Sequence, residues 1–175
     1  MNAETAAALF AIMLAGGFAG PAVGLVHRGV RSRLRRNAVQ LAAAVAVGAL
    51  VGSLGFSELA GFVPCELCWY QRAAMYPLAV ILPLAAWRGC GPRLLLGVRV
   101  LALAGLAVAV YHVQLQWNPE QGSWCALANP CSSHWVKAFG FVTIPQLSAL
   151  SFALILATLS LITGSCCRPR GQEPY

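Results

Sequence analysis

Cys65 and Cys68 stand three apart in the run Pro64-Cys65-Glu66-Leu67-Cys68-Trp69-Tyr70-Gln71-Arg72. Two cysteines at this spacing close a disulfide or lie as thiols on one helical face, and C-x-x-C spacing is typical of exchange-active pairs. Arg72 follows Cys68 by four residues, one turn and about 6 Å further along a helix axis. A cation there favours the thiolate of Cys68, the form that donates electrons. Cys125 and Cys131 make a second pair in a later, aromatic loop. Two thiol pairs on one side of a membrane suggest an electron relay.

The elements that position these cysteines are apolar. The 175-residue chain is 59% hydrophobic and only 10% charged, with a mean hydropathy of +0.70. Too few polar residues exist to cover a soluble core, which points to an integral membrane protein. A hydrocarbon core takes about 17 to 25 residues to cross. Five stretches reach that length: Ala6–Val26, Ala38–Phe56, Trp69–Trp87, Leu94–Trp117 and Ile144–Thr163. The expected fold is therefore an all-α membrane bundle of five spans. Pro64 suits the first position of the third helix, which places the thiols near its positive end. Pro77 and Pro83 fall inside that helix and are expected to kink it. Gly16, Gly20 and Gly24 in the first helix and Gly48 and Gly52 in the second are spaced for close packing, although an alanine- and glycine-rich chain also produces such spacings by chance.

The net charge of +7 is arranged for topology rather than for nucleic acid. Arg28, Arg31, Arg33, Arg35 and Arg36 fill the first connection, Arg88, Arg93 and Arg99 the third, and Arg168 and Arg170 the tail. Arginines collect on the cytoplasmic side, which leaves the N-terminus and both cysteine pairs outside. The basic cluster at 28–36 reads as a topology anchor touching anionic lipid. Arg99, near the start of the fourth span, is expected to snorkel to the interface. The first span lacks the leading positive charge of a cleaved signal peptide. Cys90, Cys166 and Cys167 fall on the reducing side and are read as inert thiols.

Other chemistries fit less of the sequence. Cys125 and Cys131 taken alone fit a static disulfide staple. Four thiolates suit a zinc site or a soft-metal relay, but an oxidising compartment disfavours stable thiolates, and no metal ligand is assigned. A c-type haem motif is excluded because Trp69 stands where its histidine belongs.

The segment from Pro64 to Arg72 resembles the signature of the DsbB family of bacterial disulfide-bond formation proteins. Tyr111-His112-Val113-Gln114-Leu115 is similar to a later helix of that family, and Phe139-Gly-Phe-Val-Thr-Ile-Pro-Gln-Leu-Ser148 to its short-loop, BdbC-like branch. The likeness covers roughly residues 38–164, a four-helix bundle of DsbB type. Residues 1–37 add an N-terminal span with a basic loop, and 165–175 form a cytoplasmic tail.

The resemblance implies a thiol:quinone oxidoreductase in the bacterial cytoplasmic membrane, supporting disulfide formation in exported proteins. By analogy, a reduced DsbA-like, thioredoxin-fold oxidase attacks the Cys125–Cys131 disulfide and forms a mixed disulfide with Cys125. Cys131 then exchanges with Cys65. Cys68, left as thiolate, donates to ubiquinone or menaquinone, with Arg72 stabilising the charge, His112 bonding a quinone carbonyl and Gln71 in support. Tyr70 is read as packing. Only five residues separate Cys125 from Cys131, which limits how far Cys125 can swing. A vitamin-K-epoxide-reductase-like enzyme is the nearest enzymatic rival, but there the loop cysteines precede the C-x-x-C. A non-enzymatic metal-handling membrane protein is the rival from another class, and it predicts redox-inert or metal-loaded thiols.

Overall fold

The computed structural model describes residues 12, 16, 28–59, 61, 63–121, 125, 131 and 142–162. A short basic helix, α1 (Arg28–Arg36), leads into α2 (Ala38–Leu54), whose end widens into a π-helical turn at Gly55–Leu59. Then follow α3 (Glu66–Arg88), α4 (Pro92–Trp117), a 3₁₀ turn at Pro119–Gln121, and α5 (Ile144–Ser160). The expected bundle spans are thus helical, with ends displaced by a few residues. Of the expected first span only Ile12 and Gly16 are described. Its packing on α2, the tail cysteines 166 and 167, and most of the outer aromatic loop lie outside the described residues.

Helices α2 to α5 close a ring in which each packs on its two neighbours. On α4 the buried positions Leu95, Val98, Ala102, Gly105, Ala109, His112 and Gln116 recur at alternating spacings of three and four. That is the seam of a left-handed helix pair. Helix α2 offers a face of small residues, with Ala38, Ala42 and Ala46 fully buried, so its neighbours come close. The outer faces remain apolar: Val51, Val80, Leu96, Val100, Leu103 and Val110 are all more than half exposed. Such a surface suits lipid. Ala38–Leu59 and Pro92–Trp117 are both long and apolar enough to cross a membrane, with mean hydropathies of 1.9 and 2.2. Helix α3 runs for 23 residues through Pro77 and Pro83, and α5 is a shorter apolar helix.

Two local expectations are corrected. Pro64 is not the first helical residue; Cys65 caps α3, in extended backbone with its sulfur accepting from the Cys68 N–H. Tyr70 is 60% exposed rather than packed in the core. Arg99 reaches the end of α5, donating to the Leu159 carbonyl and to the Ile162 carbonyl at 2.9 Å. Arg35 donates to the Leu161 carbonyl beside them, also at 2.9 Å. The last carbonyls of a helix lack intrahelical partners and carry its negative end, so two guanidinium groups settle there.

Helices α4 and α5 meet closely at Gly105, where an added Cβ would lie 2.4 Å from Cε1 and Cζ of Phe152. Phe152 is fully buried and cannot swing away. Gly105→Val is therefore expected to destabilise the bundle by about 1–3 kcal/mol through overpacking, with Phe152→Leu recovering part of the loss. Thermal unfolding in detergent checks this; an unchanged midpoint for Gly105→Val would remove the contact from the account.

Candidate redox site

The site lies at the end of the bundle where α3 begins and α4 ends. Cys65 is held at the cap of α3 and Cys68 in its first turn, and their sulfurs stand 2.7 Å apart. Both are thiols, close enough to close a disulfide with little movement. Cys125 and Cys131 are disulfide-bonded, with Cα atoms 6.0 Å apart. Both pairs share one buried cluster with Leu67 and Leu115, with Cys68 and Tyr111 packed against it. The two pairs of the sequence analysis are thus brought together.

His112 joins them. It is 2% exposed, and its Nε2 lies 3.0 Å from the Cys131 carbonyl and 3.6 Å from the Cys65 sulfur. The Gln71 amide nitrogen sits 2.9 Å from Nδ1. With that amide donating, Nδ1 is the acceptor, and Nε2–H donates to the Cys131 carbonyl. In this state protein atoms engage both ring nitrogens of His112. Gln71, by donating to Nδ1, sets the imidazole tautomer.

The sequence also put the thiolate on Cys68. In this dithiol state the hydrogen bond from the Cys68 thiol pushes the Cys65 thiol well below the usual thiol range. Burial opposes this, while His112 and the Cys68 N–H reinforce it. Arg72 spends its bonds elsewhere. Its Nε donates to Ser53 Oγ at 2.9 Å, and Nη2 donates to the Ser53 carbonyl at 2.7 Å and to Ser57 Oγ at 2.9 Å. The guanidinium also lies 5.4 Å from the Trp69 ring centroid, a cation–π contact between residues three apart on one helix. Arg72 is 8% exposed, and among the described residues it is met by serine oxygens and a carbonyl rather than by a carboxylate. Its charge therefore stays available to a neighbouring anion.

A cavity is lined by Cys65, Cys68, Gln71, Arg72, His112 and Cys131, with Ser53 and Ser57 among its polar groups and Leu50, Phe56, Met75 and Leu147 supplying apolar wall. Gln116 and Thr143, which the sequence reading passed over, complete it. Thr143 donates to Gln116 Oε1 at 2.7 Å, and its N–H donates to Gln146 Oε1 at 2.9 Å, so one residue caps α5 and ties it to α4. Ser53 and Ser57 were also missed. Their signal was two hydroxyls four residues apart at the end of an otherwise apolar helix. Cys65, Cys68 and His112 place their donor atoms within 4.8 Å of one another, making them the described group that a metal ion could use.

Comparisons with known proteins agree with this geometry. The family described as "Disulfide bond formation protein DsbB" matches residues 35–162. The chain is 41% identical to "Disulfide bond formation protein C" of Bacillus subtilis over 122 residues, 69% of this chain and 88% of the relative. It is 43% identical to a "Probable disulfide formation protein" of Deinococcus radiodurans over 141 residues, 72% of this chain and 88% of the relative. A "SPbeta prophage-derived disulfide bond formation protein B" of Bacillus subtilis is 35% identical over 127 residues, 71% of this chain and 85% of the relative. No solved structure matches significantly. With two cysteine pairs gathered at the end of an apolar helical bundle, the chain belongs to the DsbB family of disulfide bond formation proteins and is a membrane oxidoreductase of disulfide formation.

Proposed function

We propose that the protein is a dithiol:quinone oxidoreductase that reoxidises a DsbA-like, thioredoxin-fold oxidase on the outer face of the bacterial cytoplasmic membrane. The observation that carries this reading is the meeting of both cysteine pairs at His112, beside a cavity that Arg72 also lines. Five spans with the N-terminus outside put both pairs on the side where exported proteins acquire disulfides. The arginine-rich connections at 28–36 and 88–99 support that orientation.

The partner's thiolate attacks Cys125, breaking the Cys125–Cys131 bond and releasing Cys131. The partner's second thiol then displaces Cys125 and leaves as the oxidised protein. Cys131 thiolate attacks Cys65 of the Cys65–Cys68 disulfide and frees Cys68. Cys125 resolves the Cys65–Cys131 bond, which restores the loop disulfide and leaves the dithiol state described above. His112 holds the Cys131 carbonyl next to Cys65, so the exchanging backbones stay in register despite the short loop. During the mixed disulfide Cys65 carries no thiolate, and the charge moves to Cys68, one turn from Arg72.

The residues around the cavity fit a quinone. Apolar side chains line the space, and so does the buried Arg72 guanidinium, met among the described residues by two serine hydroxyls and a carbonyl. A quinone bound there supplies the two-electron acceptor that returns Cys65 and Cys68 to the disulfide. Arg72, held by Ser53 and Ser57, is positioned to stabilise negative charge without moving.

The test is quinone reduction by detergent-solubilised protein supplied with a reduced thioredoxin-fold oxidase. Turnover is expected with ubiquinone or menaquinone. Cys125→Ser should lose turnover with the protein partner while a small dithiol, which can reduce Cys65–Cys68 directly, still drives quinone reduction. Folded wild-type protein that reduces neither quinone would end this reading.

A further inference from the structure

The metal-ligand geometry around His112 is not used by the relay. Cys65 Sγ lies 3.6 Å from His112 Nε2, and all three donors of Cys65, Cys68 and His112 fall within 4.8 Å. Zinc–sulfur and zinc–nitrogen bonds of about 2.3 and 2.0–2.1 Å, at tetrahedral angles, set an S···N separation of about 3.6 Å and an S···S separation of about 3.8 Å. The first is already present. The second requires the sulfurs to part from 2.7 Å, a movement within the reach of side-chain rotation in half-buried Cys68.

We propose that the dithiol form of Cys65 and Cys68, together with His112, is a three-donor site for a soft divalent cation of the zinc and cadmium class. Its occupation excludes disulfide closure. This rests on the reading above only in taking the pair to cycle between dithiol and disulfide. Binding moves no electrons: the ion gains two thiolate bonds and one imidazole bond, and the thiol protons leave to solvent. The disulfide form offers no thiolate, so ion binding and oxidation compete for one state. A bound ion holds the enzyme reduced and stops turnover.

Gln71 governs the strength of this site. When Nε2 binds the ion, Nδ1 must carry the proton, and the Gln71 amide must turn to present its carbonyl oxygen. An amide does this, though more weakly than a carboxylate would. Partners of a metal-bound histidine typically change affinity by about 10–100-fold. Gln71→Glu is therefore expected to tighten ion binding about tenfold, and His112→Ala to weaken it by about tenfold or more.

The experiment titrates Co²⁺ and Cd²⁺ into reduced, full-length Cys125→Ser/Cys131→Ser protein in detergent and reads the thiolate-to-metal absorption bands. One ion per chain is expected to give a two-thiolate signal that Cys68→Ser abolishes and that protein oxidised beforehand to the Cys65–Cys68 disulfide does not give. The same signal in Cys68→Ser would place the ion on other thiols and overturn the proposal. So would affinities insensitive to both His112→Ala and Gln71→Glu, which would leave a bare dithiol with no third ligand. Quinone turnover is measured alongside, on the wild-type protein. Turnover without ion binding removes the metal site and leaves the oxidoreductase; ion binding without turnover does the reverse.

Discussion

Cys68→Ser is expected to reduce quinone reduction to background, a loss of several orders of magnitude of the kind seen when a covalent participant is removed. Cys68 is the leaving sulfur when Cys131 attacks Cys65, and it is the second half of the disulfide that must re-form. Serine keeps the size and a hydroxyl but offers no thiolate. The lost chemistry is therefore separable from any loss of packing, since Cys68 is only half-buried beside Cys65. The remaining Cys65 can still exchange with the loop pair, but Cys125 returns it to the thiol, and no partner sulfur is left with which Cys65 could pass two electrons to quinone. Wild-type turnover by the folded variant would sink the relay.

Arg72→Met is expected to lower the quinone-dependent rate by about 10²–10³-fold, the usual consequence of removing a preorganised donor facing developing negative charge. Methionine fills much of the arginine's volume but leaves Ser53 and Ser57 without their shared donor. Arg72→Lys separates charge from geometry: it keeps the cation and loses the fork that spans two serines. A lysine variant with intermediate kcat and raised KM for quinone would show that both matter. The check is steady-state kinetics against quinone concentration, together with exchange between the protein partner and the loop disulfide. That exchange should be untouched, because Arg72 contacts neither loop cysteine in the structure described here. Unchanged kcat and KM would take Arg72 out of the site.

What could be read from the chain was local. The C-x-x-C and the arginine one turn beyond are a matter of spacing along one helix, so the order of Cys65, Cys68, Gln71 and Arg72 on α3 was legible. The helix bounds were legible to within a few residues, because runs of apolar residues and the flanking prolines and glycines mark them. Gly89, at φ 95°, ends α3 where a side chain would be strained. The cap of α3 was misread by two positions, since proline's preference for a first helical residue yielded to a cysteine whose sulfur accepts the Cys68 N–H.

Contacts between helices were not legible, and these make the site. His112 reaches back 41 residues to Gln71 and forward 19 to Cys131. Arg72 finds its serines 15 and 19 residues earlier, and Arg99 finds the carbonyls of α5 60 and 63 residues on. Each depends on how a helix is turned about its axis. In a soluble bundle that rotation is written in the contrast between apolar and polar faces. Here lipid-facing Val100, Leu103 and Val110 are as apolar as buried Leu95, Val98 and Ala109, and the contrast is largely erased. The sequence alone determined the membrane bundle, the reactive pair and its neighbouring cation, because composition and short-range spacing suffice for those. Only the tertiary structure decided that His112 joins the two pairs and that Arg72 hangs from Ser53 and Ser57, because packing of small residues such as Gly105 against Phe152 sets which faces meet.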